Sequence, residues 1–197
     1  GAYVKLLLKY ACFGYLRDQE NLFYGAGLRK IHCGNNLSFY HPYFCNTFPE
    51  MEEISLSLSA SKKLSGYSFL QCGIRCCVIP KGMEEIEEYC FYQSSKLVNV
   101  IFPNTITKIG QRAFGDCVSL RTITLPPINI IDAACFIGCS NLEVVTVPNT
   151  VRTVYSDAFR DCVSLRVVDF SQHNEVPTLA AYEGFSNTPL VKILVPD

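Results

Sequence analysis

The feature that most limits what this chain can fold into is an internal repeat of 22–23 residues. Leu97, Leu120, Leu142 and Leu165 open successive copies at intervals of 23, 22 and 23 residues. Phe114, Phe136 and Phe159 recur in phase with them, as do Cys117, Cys139 and Cys162, and Pro103, Pro126 and Pro148 fall at the matching place in each copy. Several residue types returning together mark an array of stacked units, because one such unit cannot bury its apolar side alone.

The phase extends toward the N-terminus with decay. Residues 74–96 keep Ile74, Cys77, Ile79, Pro80 and Phe91 but carry Ser94 where later copies have cysteine. Residues 51–73 keep Met51, Ile54, Leu56 and Phe69 with a shifted Cys72, and residues 28–50 keep Leu28, Ile31, Cys33 and Phe44. Leu190 opens the last copy. The expected organisation is one continuous solenoid over residues 28–197, about eight coils of 22–25 residues. Residues 1–27 are expected to form a degenerate repeat or cap, which terminal repeats generally need.

Within a unit the inner residues first alternate, as in Val100 and Phe102 or Ile123 and Leu125. Period two predicts a short strand with those side chains inward. Proline cannot donate to a ladder and ends the strand. The next apolar pair, Ile106 and Ile109 or Val151 and Val154, lies three apart, which suits a short extended or helical return. The phenylalanine then fills the interior, and the cysteine precedes the corner back to the next leucine.

Composition narrows the function classes. Seventeen basic and 18 acidic residues give a net charge of -1, without the basic excess of a nucleic-acid or anionic-membrane binder. The chain is 49% hydrophobic and 18% charged, which excludes intrinsic disorder. The start, residues 1–9, has an apolar run broken by Lys5 and Lys9, far short of the ~20 residues of a membrane span. It reads as a terminal strand or cap, with any signal peptide removed or outside this sequence.

The pattern Leu-x-x-Ile-x-Ile-Pro-x-x-Val-x-x-Ile-x-x-x-Ala-Phe-x-x-Cys-x-x-Leu resembles the BspA-type (Treponema pallidum-type) leucine-rich repeat, closely over residues 97–165 and more loosely over 28–96. The resemblance implies a mostly β, α/β-type repeat solenoid: a right-handed leucine-rich-repeat superhelix with a parallel concave sheet. It also implies a secreted or cell-surface adhesin that binds protein ligands of the host matrix or of other cells. It carries no common catalytic residues and no cofactor.

Eleven cysteines in 197 residues fall below the ~8–10% of a disulfide scaffold, and an odd number leaves at least one unpaired within the chain. Cys117, Cys139 and Cys162 are expected to form a buried column of free thiols beside Phe114, Phe136 and Phe159. Equivalent side chains in parallel coils point the same way, which opposes the disulfide dihedral. Cys33 and Cys77 take inward strand positions, Cys90 and Cys135 precede core phenylalanines, and Cys76 is expected to carry an exposed thiol. The pairing of Cys12, Cys45 and Cys72 is open. Free thiols are unusual in a secreted protein, but buried ones are inert.

Other chemistry is weakly signalled. There is no Cys-x-x-Cys, and Cys72, Cys76 and Cys77 lack a matching second pair for zinc. His32 and Cys33 face opposite sides of a strand, and His41 and Cys45 are merely close in sequence. Glu84, Glu85, Glu87 and Glu88 read as a solvated turn, His173 as a surface residue, and Asn36-Leu37-Ser38 as a short glycosylation-type pattern. No metal, cofactor or enzymatic activity is expected.

Repeat solenoids bind along their extended strand surface. Strand phase puts Asn99, Ile101, Thr122, Thr124, Val144, Thr146, Val167 and Asp169 outward there, a strip that is short, apolar or hydroxylated and almost uncharged. This strip is the expected binding surface for a protein ligand. The alternative from another class is a structural array that spaces or displays other domains.

Overall fold

A computed structural model describes residues 29–33, 45, 51–174, 177–179, 184–189 and 192–195; residues 1–27 and Phe44 lie outside the described residues. The order is β1 (Lys30–His32), then β2 (Glu53–Ser55) with β3 (Lys63–Leu64), β4 (Cys76–Val78) with β5 (Glu85–Ile86), and β6 (Asn99–Ile101) with β7 (Lys108–Ile109). It continues as β8 (Thr122–Thr124) with β9 (Ile130–Ile131), β10 (Val144–Thr146) with β11 (Thr153–Val154), β12 (Val167–Asp169) with β13 (Thr178–Leu179), and β14 (Lys192–Leu194). Every strand pair is parallel, and equivalent positions of successive coils stand in register, for example Thr122, Val144, Val167 and Lys192. Six coils thus carry both a three-residue and a two-residue strand. Of the about eight coils expected, β1 and β14 are single strands without a described companion. The return after each proline is extended, so the helical option is not used.

The middle residue of each three-residue strand from β1 to β12 points inward, Ile31, Ile54, Cys77, Val100, Ile123, Val145 and Val168 all being buried, whereas Ile193 in β14 is exposed. Leu64, Ile86, Ile109, Ile131 and Val154 bring the second wall to the same core. Between them runs an unbroken pile of rings, Phe69, Phe91, Phe114, Phe136, Phe159 and Phe185. Their centroids are 5.0–5.6 Å apart and nearly parallel. Each ring covers the next, so burial is shared along the whole axis.

The ring corner has a backbone signature that no residue pattern announced. Two residues before and two after the phenylalanine, φ is positive: Tyr67 and Gln71, Tyr89 and Gln93, Arg112 and Asp116, Ala134 and Gly138, Asp157 and Asp161. Only Gly138 meets this without steric cost, and the others carry roughly 1–2 kcal/mol each. Coil-to-coil hydrogen bonds hold the corner: Phe91 N–H donates to the Ala113 carbonyl at 2.7 Å and Asp116 N–H to the Ile137 carbonyl at 2.7 Å.

The strand ladders are interrupted once. The long strands form two sheets, β1-β2-β4-β6 and β8-β10-β12-β14, and the short strands split at the same coil boundary, β3-β5-β7 and β9-β11-β13. The cause lies in the turn after the proline. In residues 97–119 Ile106 N–H closes a turn onto the Pro103 carbonyl, and in residues 142–164 Val151 N–H closes one onto Pro148. The 22-residue copy is one residue shorter there: Ile128 N–H reaches the Pro126 carbonyl directly, at 2.6 Å. The missing position is the one that staples coils elsewhere. Thr105 Oγ1 donates to the Met83 carbonyl and Thr150 Oγ1 to the Ile128 carbonyl, whereas Pro127 offers neither hydroxyl nor N–H. Across this seam the ring corner stays bonded, with Phe114 N–H donating to the Cys135 carbonyl at 3.0 Å and Asp116 N–H to Ile137, and Asn141 Nδ2 donates to the Val118 carbonyl at 2.7 Å.

Candidate functional site

The outward side chains of the three-residue strands make the candidate binding face. Asn99, Ile101, Thr122 and Thr124 are exposed, while Val144, Thr146, Val167 and Asp169 are half-buried. Val78 and Ile101 expose 57% and 53% of their surface, the most of any large apolar residues described. Register therefore brings all eight positions onto one surface, with Val78 and Cys76 continuing it. From Cys76 to Val167 the face carries no ionisable group other than that thiol. Charge sits at its ends: Lys30 pairs with Glu53 at 2.6 Å, and the Asp169 carboxylate accepts the Ser171 N–H at 2.9 Å. Hydrogen bonding from Ser171 holds the Asp169 carboxyl below its usual range.

Position in the array distinguishes the eight candidates. Val144 and Val167 pair directly across β10 and β12, so neighbours shield them. Asn99 and Ile101 border the seam on one side, Thr122 and Thr124 on the other. A cleft of about 420 Å³ opens there, lined by residues 99–104, 122 and 124–127. Sequence reasoning did not find this cleft, although the 22-residue spacing amid 23-residue neighbours was its signal. A larger open depression, about 560 Å³, lies beside the short-strand face between Asn149, Arg152 and Asn174.

The buried cysteines among the described residues are part of the packing. Cys117, Cys139 and Cys162 are free and buried, and their thiols do more than fill space. Each donates to the carbonyl of the phenylalanine one coil back: Cys117 to Phe91 at 3.2 Å, Cys139 to Phe114 at 3.1 Å and Cys162 to Phe136 at 3.1 Å. Ser94 does the same to Phe69 at 2.7 Å, and Thr188 to Phe159 at 2.6 Å. The position selects a small hydrogen-bond donor, and serine or threonine satisfies it as well as cysteine. Burial pushes the Cys162 thiol up to about 12 and those of Cys77, Cys90, Cys117, Cys135 and Cys139 well above the ordinary range. A thiol kept protonated is a poor nucleophile or metal ligand. Cys76 is the exposed one among the described free thiols.

One cysteine pair and one histidine need separate accounts. Cys45 and Cys72 form a disulfide with a Cα separation of 5.4 Å. The two are not equivalent positions. Cys45 N–H donates to the Ser68 carbonyl just as Phe69 N–H donates to Cys90, so Cys45 occupies the ring position of its coil, where the sequence pattern assigned Phe44. Side chains from different corners can converge, so the argument against bonds between equivalent cysteines does not apply. His173 is buried, not on the surface: it is 2% exposed and packs edge-on against Phe170 with centroids 5.3 Å apart. The turn that carries it folds back, His173 N–H donating to the Phe170 carbonyl.

Among the described residues no group of three or more His, Cys, Asp or Glu side chains is placed to hold a metal ion, and no helix is long and apolar enough to cross a membrane. Parallel short strands in register, an aligned ring pile and a repeated asymmetric corner define a leucine-rich-repeat solenoid. The sequence model of the BspA type leucine rich repeat region matches residues 18–91 and 62–189 in six copies, and the chain belongs to that family.

Solved structures share the fold. A Treponema pallidum leucine-rich repeat protein matches at 23% identity with a TM-score of 0.55, covering 73% of this chain and 59% of that one. A leucine-rich cell surface protein of Faecalibacterium prausnitzii matches at 23% identity with a TM-score of 0.60, covering 86% of this chain and 48% of that one. The chain thus spans about half to three-fifths of the length of these structures. No curated protein matches the sequence.

Proposed function

We propose that the chain is a non-enzymatic binding module, displayed at a cell surface or secreted, that recognises protein ligands of the host-matrix or cell-surface kind through the outward face of its three-residue strands. The observation that carries this reading is the face itself. It is uncharged from Val78 to Val167, across the five strands β4, β6, β8, β10 and β12, and keeps two large apolar side chains more than half exposed. Exposed weakly polar strips of this kind mark protein-binding surfaces. The relation to a protein described as a cell surface protein supports the location.

The test replaces Thr122, Thr124 and Thr146 with lysine together and measures adhesion to immobilised extracellular-matrix proteins. Loss of adhesion with the fold intact is the expected result. Unchanged adhesion by the folded variant overturns the reading.

A further inference from the structure

We propose that Arg75 and Arg121, standing on either side of Val98 along one edge of the binding face, receive an acidic side chain of the protein ligand, while an apolar neighbour of that side chain sits on Ile101 and Val78. This deepens the proposed function and rests on it.

The residue after each opening leucine, or its equivalent, falls in one row beside the face. Arg29, Glu52 and Arg75 lead to Val98, and Arg121, Glu143 and Arg166 follow it. Backbone bonds hold the row in register before the seam: Glu52 N–H donates to the Arg29 carbonyl at 2.9 Å, Arg75 N–H to Glu52 at 3.3 Å, and Val98 N–H to Arg75 at 2.7 Å. Beyond it Glu143 N–H donates to the Arg121 carbonyl at 2.7 Å and Arg166 N–H to Glu143 at 3.0 Å.

Basic and acidic residues alternate along this row at every position except 98. Valine stands there in place of an acid. The two acids of the row turn away from the gap, Glu52 to Arg29 at 3.6 Å and Glu143 to Arg166 at 2.7 Å. Arg75 and Arg121 are exposed, and among the described residues neither has an ion-pair partner. Lys96, two residues before Val98, is also exposed without one. By contrast, Lys30, Lys62, Lys63 and Lys108 are all paired.

The two arginines stand two coils apart, roughly 10 Å along the row, and their long side chains can converge above Val98. A carboxylate placed there accepts from a guanidinium on each side, the geometry in which arginine binds carboxylates best. Val98 is short and 36% exposed, so it leaves that space open.

The apolar half of the site sets the class of ligand. Ile101 lies three residues beyond Val98, about 10 Å along the strand, and Val78 is its register partner. An extended peptide places side chains two or three positions apart at about 7–10 Å. One segment can therefore set its acid between the arginines and an apolar side chain on Ile101 and Val78. A sialylated or sulfated glycan could meet the arginines, but it brings no alkyl side chain for the apolar pair.

The test pans a displayed heptapeptide library against the whole chain and against Val98→Glu, which supplies the missing acid from the chain itself. The native chain should enrich peptides with Asp or Glu two or three positions from Val, Ile, Leu or Phe. Binding of the selected peptide should fall about tenfold or more on Val98→Glu, on Arg75→Gln, on Arg121→Gln and on converting the peptide's acid to its amide, as the loss of a charge-assisted contact requires. It should weaken as salt is raised and stay near the native level on Val98→Gln, which alters shape without charge. These substitutions lie at exposed positions, and an unchanged unfolding midpoint confirms that each variant is folded. No enrichment of acidic peptides, equal binding to the native chain and to Val98→Glu, or capture of sialylated or sulfated glycans in place of peptides overturns the proposal. If matrix adhesion is lost on the triple lysine variant but survives Val98→Glu and both arginine variants, the arginine site fails and the binding face stands. If the acidic peptides bind as expected while the native chain adheres to no matrix protein, the matrix reading fails and the arginine site stands.

Discussion

The two blocks on either side of the seam reach the same shape with different chemistry. Before it, the short-strand face is a charge ladder: Glu85 lies between Lys63 and Lys108, 2.7 Å from each, and Lys62 meets Glu84 at 2.7 Å. After it, the register positions equivalent to Lys63, Glu85 and Lys108 are Ile130, Thr153 and Thr178, and the ladder is uncharged. The donor column does not follow this division, with Ser94 and Cys117 before the seam and Cys139, Cys162 and Thr188 after it. A disulfide joins the first two coils of the first block. The ring pile, the corner bonds and the donor column continue across the seam. Cohesion therefore resides in the rings, the corner bonds and a small donor per coil, and the exposed short-strand face is free to vary.

The largest expected effect tests that assignment at the place where the blocks depend on it most. Phe114→Ala removes a fully buried ring beside the seam and should destabilise by about 3–5 kcal/mol, with the two blocks melting as separate transitions in calorimetry. A single shifted transition would mean that the strand faces, not the rings, couple the blocks. Next in size, reducing the Cys45–Cys72 bridge should cost about 3 kcal/mol by freeing the loop it closes. The loss should show in amide exchange of β2 and β3, with β10 to β13 unaffected. Exchange rising equally in both blocks would contradict a local role.

The donor column gives a finer comparison. Cys139→Ser should fold with stability close to the parent, because Ser94 already fills that role. Cys139→Val leaves the Phe114 carbonyl with only the Cys117 N–H, at 3.3 Å, and should cost about 1 kcal/mol. Equal stability of the two variants in urea unfolding would reduce the thiol to a space-filler.

The smallest effect concerns charge. Burial acts to raise the Glu85 carboxyl, but hydrogen bonds and charge from Lys108 and Lys63 outweigh it and hold it low. A carboxyl depressed on folding contributes stability above its unfolded value and loses it as pH falls through the folded one. Glu85→Gln should change little at neutral pH, where exposed pairs contribute weakly, and should flatten the acid limb of the unfolding curve. An unaltered acid limb would show that the ladder contributes nothing.

Much of this was legible in the residues. The recurring leucine, proline and phenylalanine announced the solenoid, since a fixed period admits few folds. Period two inside each strand placed Val100 and Ile123 inward, Asn99 and Thr122 outward, and Cys76 in solvent. The donor role of the cysteines could have been read from Ser94 and Thr188, which share hydrogen-bonding capacity with cysteine rather than its volume.

Other features were decided only in three dimensions. A repeat pattern describes one coil, and the stacking of coils depends on bonds between residues more than twenty positions apart. The 22-residue spacing was visible, but that it opens two strand faces while leaving the ring corner closed follows from which hydrogen bonds survive the shorter turn. Cys45 entered the ring register in place of Phe44 because backbone pairing with Ser68, not residue type, set its place. His173 was buried by a turn folding onto Phe170. Sequence fixes which side chains face inward through local periodicity, and the tertiary structure alone decides where successive coils bond, because that depends on non-local register.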